Sequence, residues 1–150
     1  MTHRRKPLGL AALGTLAFVI GAAAPGTSAQ SDHKSPPSRY WHRCRSYIVN
    51  GGAHLSGYTY VSLDRYGNAP ATQHFVRVRN MNVLGWVGDV TVDHYEHPRM
   101  WLAPGMSHWV PSPVLILPAH RRRVAYGVDI DPISDATTLA VEVWGARCRR

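Results

Sequence analysis

Beyond about residue 40 the chain alternates apolar and polar residues with a period of two, in one short segment after another. A strand turns successive side chains to opposite faces, whereas a helix would return apolar residues at three-and-four spacing. His74–Arg79 sets Val76 and Val78 against Arg77 and Arg79, and Val83–His94 sets Trp86, Val90 and Val92 against Asp89, Thr91 and Asp93. Arg122–Ile130 aligns Val124, Tyr126, Val128 and Ile130. Arg43–Val49, Tyr58–Leu63 and Thr137–Cys148 complete the set, and Trp109–Leu117, broken by prolines, reads as an edge strand or two short ones. Turn residues such as Asn50-Gly51-Gly52 and Asp64-Arg65-Tyr66-Gly67-Asn68 separate them. Seven to eight strands at this spacing predict an all-β fold, an antiparallel Ig-like β-sandwich, with Trp86 and Trp144 in its core. In the last strand Leu139, Val141 and Val143 share a face while Cys148 falls on the other phase, so a bulge is expected at Gly145.

The first 29 residues have a different character. His3-Arg4-Arg5-Lys6 form a basic head, Leu8 to Ala24 an apolar stretch, and Thr27-Ser28-Ala29 a small-residue cleavage site, the three parts of a cleaved signal peptide. The stretch is short and glycine-containing against the roughly 20 apolar residues of a spanning helix, so no membrane-spanning segment is expected after cleavage. Residues 30–39 are polar with a Pro pair and read as a flexible leader, and 40–150 as the β domain. Cleavage removes three of the 17 Lys and Arg and none of the 9 acids, lowering the net charge from +8 to about +5. The expected product is a secreted, basic protein.

Its two cysteines, Cys44 and Cys148, stand near the two ends of the mature chain. In an oxidising compartment such a pair reads as a disulfide, and one closing about 100 residues stabilises by up to about 4.7 kcal/mol on chain entropy.

The run Phe75-Val-Arg-Val-Arg-Asn80, Val87-Gly-Asp-Val-Thr-Val92, Leu102-Ala-Pro-Gly-Met-Ser107 and Val124-Ala-Tyr-Gly-Val-Asp129 resembles the bacterial Ig-like modules of the CARDB type. Those modules show a strand ending in Asn, a Val/Thr strand, a Pro/Ala-Gly turn and a strand ending in Val-Asp. The likeness covers roughly residues 73–131. It implies a sandwich used for binding or spacing at the cell surface, with no catalytic residues to carry over. The terminal cysteines and the tryptophans depart from that pattern.

Several constellations are candidates for function. Arg43 and Arg45 flank Cys44, and Arg147 and Arg149 flank Cys148. If the cysteines bond, alternation sends all four arginines to the face opposite the bridge, a patch suited to an anionic cell-wall or surface polymer. The same cluster also reads as a solubilising edge that discourages sheet pairing. Arg121-Arg122-Arg123 is a second cationic run, on a turn leading into a strand. Nucleic-acid binding wants aromatics interleaved with the basic residues, and the phase here turns most aromatics inward, so no specific nucleic acid is expected. Trp101 and Trp109 flank a Pro-Gly turn and are candidates for a carbohydrate platform, or alternatively core residues.

Asp93, His94, His97 and His108 are the candidate ligands for Zn²⁺ or Cu²⁺, with ordinary loop histidines as the alternative. Asp129-Ile-Asp131-Pro-Ile-Ser-Asp135 resembles a loose Ca²⁺ loop lacking the glycine and distal glutamate of the helical hand. No Gly-x-Ser-x-Gly elbow, phosphate-binding loop or recognisable triad is present, so a non-catalytic binding or structural module is expected. A small metal-binding protein or enzyme centred on His94 and His97 is the alternative.

Overall fold

The structure is a computed structural model that describes residues 39–150. Residues 1–29, expected to be a signal peptide, and nearly all of 30–39, expected to be a leader, lie outside the described residues. Eight strands follow in order: β1 (His42–Asn50), β2 (Ala53–Tyr60), β3 (Phe75–Asn80), β4 (Trp86–Val92), β5 (Tyr95–Leu102), β6 (Ser107–Pro111), β7 (Arg123–Pro132) and β8 (Thr138–Gly145). No helix occurs among the described residues.

The strands form two four-stranded antiparallel sheets, ordered β1-β8-β3-β6 and β2-β7-β4-β5. First pairs with last, second with seventh, third with sixth and fourth with fifth. The chain is thus one long hairpin, and the lateral pairs β3–β8 and β4–β7 roll it into two layers. That order is the double Greek key of a jelly roll. Alternation specifies which side chains face inward but not which strand joins which sheet. An Ig domain divides its strands as ABED and CFG, so this connectivity is a distinct way of closing the same expected sandwich.

Inward positions build one core. Val76, Val78, Val110, Val141 and Val143 from one sheet meet Trp86, Val90, Val92 and Val128 from the other, all fully buried. Burying each such side chain contributes about 1.5–3 kcal/mol. Trp144 departs from expectation. Leu139, Val141 and Val143 take the inward phase of β8, which sends Trp144 to the outer face. There it meets Trp109 edge-on at 5.2 Å, and its indole N–H donates to Glu142 Oε2 at 3.2 Å.

The long hairpin has a tip and a root. At the tip, Asp93 and His94 link β4 to β5 with φ of 49° and 69°. A two-residue hairpin loop with both residues left-handed is the type I′ turn, whose twist matches that of the strands. Asp and His both adopt this conformation more readily than most residues. Alternation alone runs Asp93-His94 on from the preceding strand and gives no sign of β5, because Glu96-His97-Pro98-Arg99 interrupts any apolar alternation. At the root, Cys44 and Cys148 form the expected disulfide, with Cα atoms 4.9 Å apart across a sequence separation of 104. Such a bridge fits an oxidising, extracellular-type compartment.

The expected bulge lies elsewhere. β8 ends at Gly145, and the register shifts in β1 between Arg43 and Arg45 instead. The four connections at one end of the sandwich (51–52, 81–85, 103–106, 133–137) include a single charged residue, Asp135. The other end carries the disulfide and the 112–122 segment, which closes on Arg121 and Arg122.

Candidate functional site

The shift at Cys44 undoes the expected arginine face. One extra residue reverses the side-chain phase, so Arg43 and Arg45 diverge. Arg43 reaches across the outer face of its sheet to Glu142 Oε1 at 3.0 Å, and Arg77 Nε holds Glu142 Oε2 at 2.7 Å. Burial of Glu142 opposes its ionisation most, but the hydrogen bonds from Arg43, Arg77 and Trp144 together outweigh it and hold the carboxyl below its usual range. Arg45 points the other way, into the seam between β1 and β2. Arg147 donates to Ser62 Oγ at 3.1 Å. The four candidates flanking the cysteines therefore make no common patch, and one of them is neutralised by an ion pair.

A different set of arginines converges. Arg121 and Arg122 just before β7, Arg123 at its first position and Arg150 from the C-terminal segment surround a hollow of about 600 Å³, with Tyr58 and Ala125 completing its wall. β2 turns His54, Ser56 and Tyr58 outward, and the register places Tyr58 opposite Ala125, a side chain too small to fill the space. The Arg123 guanidinium stacks on the Tyr58 ring, 4.2 Å from its centroid. A stacked guanidinium keeps its N–H edge directed outward in a fixed orientation. Beside this basin runs the seam, a hollow of about 400 Å³ to which Arg45, Tyr47, Tyr58, Tyr60, Tyr126 and Cys148 contribute. Its floor is pinned where the Tyr47 and Tyr126 hydroxyls meet at 2.7 Å. Burial, then that hydrogen bond, pushes the Tyr126 hydroxyl pKa well above the ordinary tyrosine value.

Sequence reasoning missed a buried polar chain. His74 shares the inward phase of Val76 and Val78 and is 1% exposed. Its Nε2 lies 2.7 Å from Thr59 Oγ1 and its Nδ1 2.6 Å from Asp93 Oδ2. Asp93 Oδ1 accepts the Gly127 N–H at 2.9 Å, which locks the left-handed turn onto β7. A histidine in apolar phase beside two buried valines is the signal that exposes it. The order hydroxyl, imidazole, carboxylate is that of a hydrolytic triad. Thr59 is 2% exposed, however, so no substrate carbonyl reaches its hydroxyl, and the chain ties β2 and β4 of one sheet to the entry of β3 in the other.

The metal candidates separate. Asp93 is committed to His74 and Gly127, His94 is the second turn residue, and His97 Nε2 lies 3.3 Å from the Pro111 carbonyl. His108 sits on β6 of the other sheet. Among the described residues no three His, Cys, Asp or Glu side chains gather as a metal site. The Asp129–Asp135 run is no calcium loop either: Asp129 and Asp131 lie within β7, and Asp129 Oδ1 pairs with His54 Nδ1 at 2.6 Å. The carbohydrate platform also dissolves. Trp101 is 47% exposed on β5, whereas Trp109 is 4% exposed on β6 of the other sheet, because the turn between them crosses from one layer to the other.

The fold and basin together define a disulfide-closed, two-layer β-sandwich with a cationic hollow at the root of its hairpin. No family model matches the chain, and neither curated proteins nor solved structures give a match. The likeness of residues 73–131 to CARDB-type modules rests on its short motifs alone.

Proposed function

We propose that this is an exported, non-catalytic binding module that holds an anionic polymer of the cell wall or cell surface in its arginine basin. The observation that carries the reading is the convergence of Arg121, Arg122, Arg123 and Arg150 on one open hollow. Four guanidiniums in one concavity repel each other. An incoming phosphate, sulfate or carboxylate relieves that repulsion and gains paired N–H···O bonds. Tyr58 adds a flat apolar wall, suited to a sugar ring beside the anionic group. A jelly roll carries many unrelated functions, so the reading stands on the basin and not on the fold.

The test is retention on an anionic resin, and binding of a soluble glycerol-phosphate polymer, as salt is raised. Arg122→Ser/Arg150→Ser should elute at distinctly lower salt than wild type. Arg43→Ser, which removes an arginine already paired with Glu142, should elute close to wild type. Equal elution of wild type and the basin variant would refute the proposal.

A further inference from the structure

A third hollow opens on the outer face of β2 and β7, next to the arginine basin. It measures about 360 Å³, and His54, Ser56, His94, Leu115, Ala125 and Asp129 contribute to its wall. The register explains why it is there. His54 pairs with Asp129, Ser56 with Gly127 and Tyr58 with Ala125, so the outward rung between His54–Asp129 and Tyr58 carries a single hydroxymethyl group. Ala125 belongs to the wall of both hollow and basin. The 112–122 segment borders both as well. Leu115, fixed by reciprocal backbone bonds to Thr72 at 2.7 and 3.0 Å, walls the hollow, and Arg121 and Arg122 further along wall the basin. From Tyr58 back to His54 is four strand positions, about 13 Å at about 3.3 Å each. A stretch of polymer has that reach, and a single phosphate does not.

The groups lining the hollow select the chemistry of its occupant. His54 Nδ1 lies 2.6 Å from Asp129 Oδ1, and both side chains are more than half exposed. The pair presents a carboxylate oxygen, which accepts, and the second imidazole nitrogen, beside the Ser56 hydroxyl, which both donates and accepts. An anionic group is repelled by Asp129. A cationic group finds that carboxylate already hydrogen-bonded to His54, and Asp93 already committed to His74 and Gly127. An uncharged group rich in hydroxyls suits all of these partners. Leu115 and Ala125 offer apolar contact to the C–H face of a sugar ring, the usual combination of an apolar wall with a few placed polar groups.

We infer that this hollow is a second subsite for the polymer held by the basin, and that it takes a neutral sugar unit. Resting on the proposed anion-holding role of the basin, this narrows the ligand class to anionic polymers that carry uncharged sugar beside the charged group. The order along the face is set by the strands, with charge at Arg121–Arg123 and Arg150, a flat wall at Tyr58, and hydroxyl recognition at His54–Asp129. Attraction and its salt dependence come from the basin, and preference among anionic polymers comes from the hollow.

Equilibrium binding of a glycerol-phosphate polymer, bare and bearing glucosyl substituents, tests it at one fixed salt concentration. Wild type should bind the glucosylated form at least about tenfold more tightly than the bare form. His54→Ala/Asp129→Asn, at two exposed positions outside the core, should bind both forms alike. Loss of the Asp129 charge acts on both polymers equally, so the ratio between them reads the hollow alone, and retained binding of the bare form shows that the variant is folded. Arg122→Ser/Arg150→Ser should weaken both forms and preserve their ratio. Equal binding of the two polymers by wild type would overturn the sugar subsite and leave the basin reading standing. So would a tenfold preference that persists in His54→Ala/Asp129→Asn. Wild type that binds neither polymer would overturn the basin reading and the subsite with it.

Discussion

Removing His74 offers the sharpest check on how the two layers are joined. In His74→Leu the Asp93 carboxylate, 8% exposed, keeps only the Gly127 N–H, and the buried Thr59 hydroxyl loses its imidazole partner. Taking one hydrogen-bond partner from a buried carboxylate costs about 3 kcal/mol or more, and an orphaned hydroxyl about 1–3 kcal/mol. The two penalties overlap as side chains relax, so about 4 kcal/mol is the working figure. A domain of this size loses roughly 4 °C of Tm per kcal/mol, which gives a fall of about 15 °C.

Asp93→Asn should behave differently. Asn is at home in the left-handed region and keeps an oxygen for Gly127. Its amide N–H then donates to His74 Nδ1, the imidazole switches tautomer, and Nε2–H donates to Thr59 Oγ1. The Thr59 hydroxyl proton and the second amide hydrogen then lack an acceptor within this chain of side chains, so the cost is about 1–3 kcal/mol, smaller than that of His74→Leu. Thermal and urea unfolding followed by circular dichroism supply both numbers. Equal losses for the two variants would show that charge, not hydrogen-bond connectivity, holds the layers together. A His74→Leu protein as stable as wild type would refute the network's role altogether.

Three further outcomes follow from the same geometry. Glu142 has a folded pKa below its ordinary value of 4.5, so its contribution is full above that value and is lost as pH falls through the folded pKa. The stability gap between wild type and Glu142→Gln, measured by urea midpoints, should therefore be constant near neutrality and close progressively below about pH 4.5. Cys44→Ser/Cys148→Ser should lower stability by about 2–4.7 kcal/mol, read as a shift in denaturant midpoint, since the bridge closes almost the whole domain. At Gly57 a Cβ would fall 2.7 Å from Tyr126 Cζ, so Gly57→Ala should cost about 1–3 kcal/mol by displacing that ring from Tyr47. The same substitution in a Tyr126→Leu background should cost almost nothing in a thermal melt.

Much of the architecture was legible in the residues because a period-two pattern is a statement about faces. Val76, Val78, Val90, Val92, Val128, Val141 and Val143 all lie where alternation puts them. The disulfide was legible from the pairing of two terminal cysteines. Sheet membership was not, since each strand carries one apolar face whichever neighbours it takes. The site was misread for a related reason. A single shift at Cys44 reversed the phase on which the four-arginine face depended, and the convergence of Arg150 with Arg121–Arg123 spans a separation no local pattern encodes. The interleaving of arginine with aromatic side chains, read as inward from phase, is present at Tyr58 because β2 turns that residue out.

The nesting of strand pairs also dictates an order of assembly. Closing a loop costs more entropy as it lengthens, so the least costly route begins at the Asp93-His94 turn and adds one rung at a time on either side. The two sulfurs meet only when the outermost rung is laid down, which makes oxidation the signature of a finished molecule. Refolding sampled with a thiol-blocking reagent should trap both cysteines still reduced after the inner strands have formed. Bridging ahead of strand formation would contradict that sequence of events.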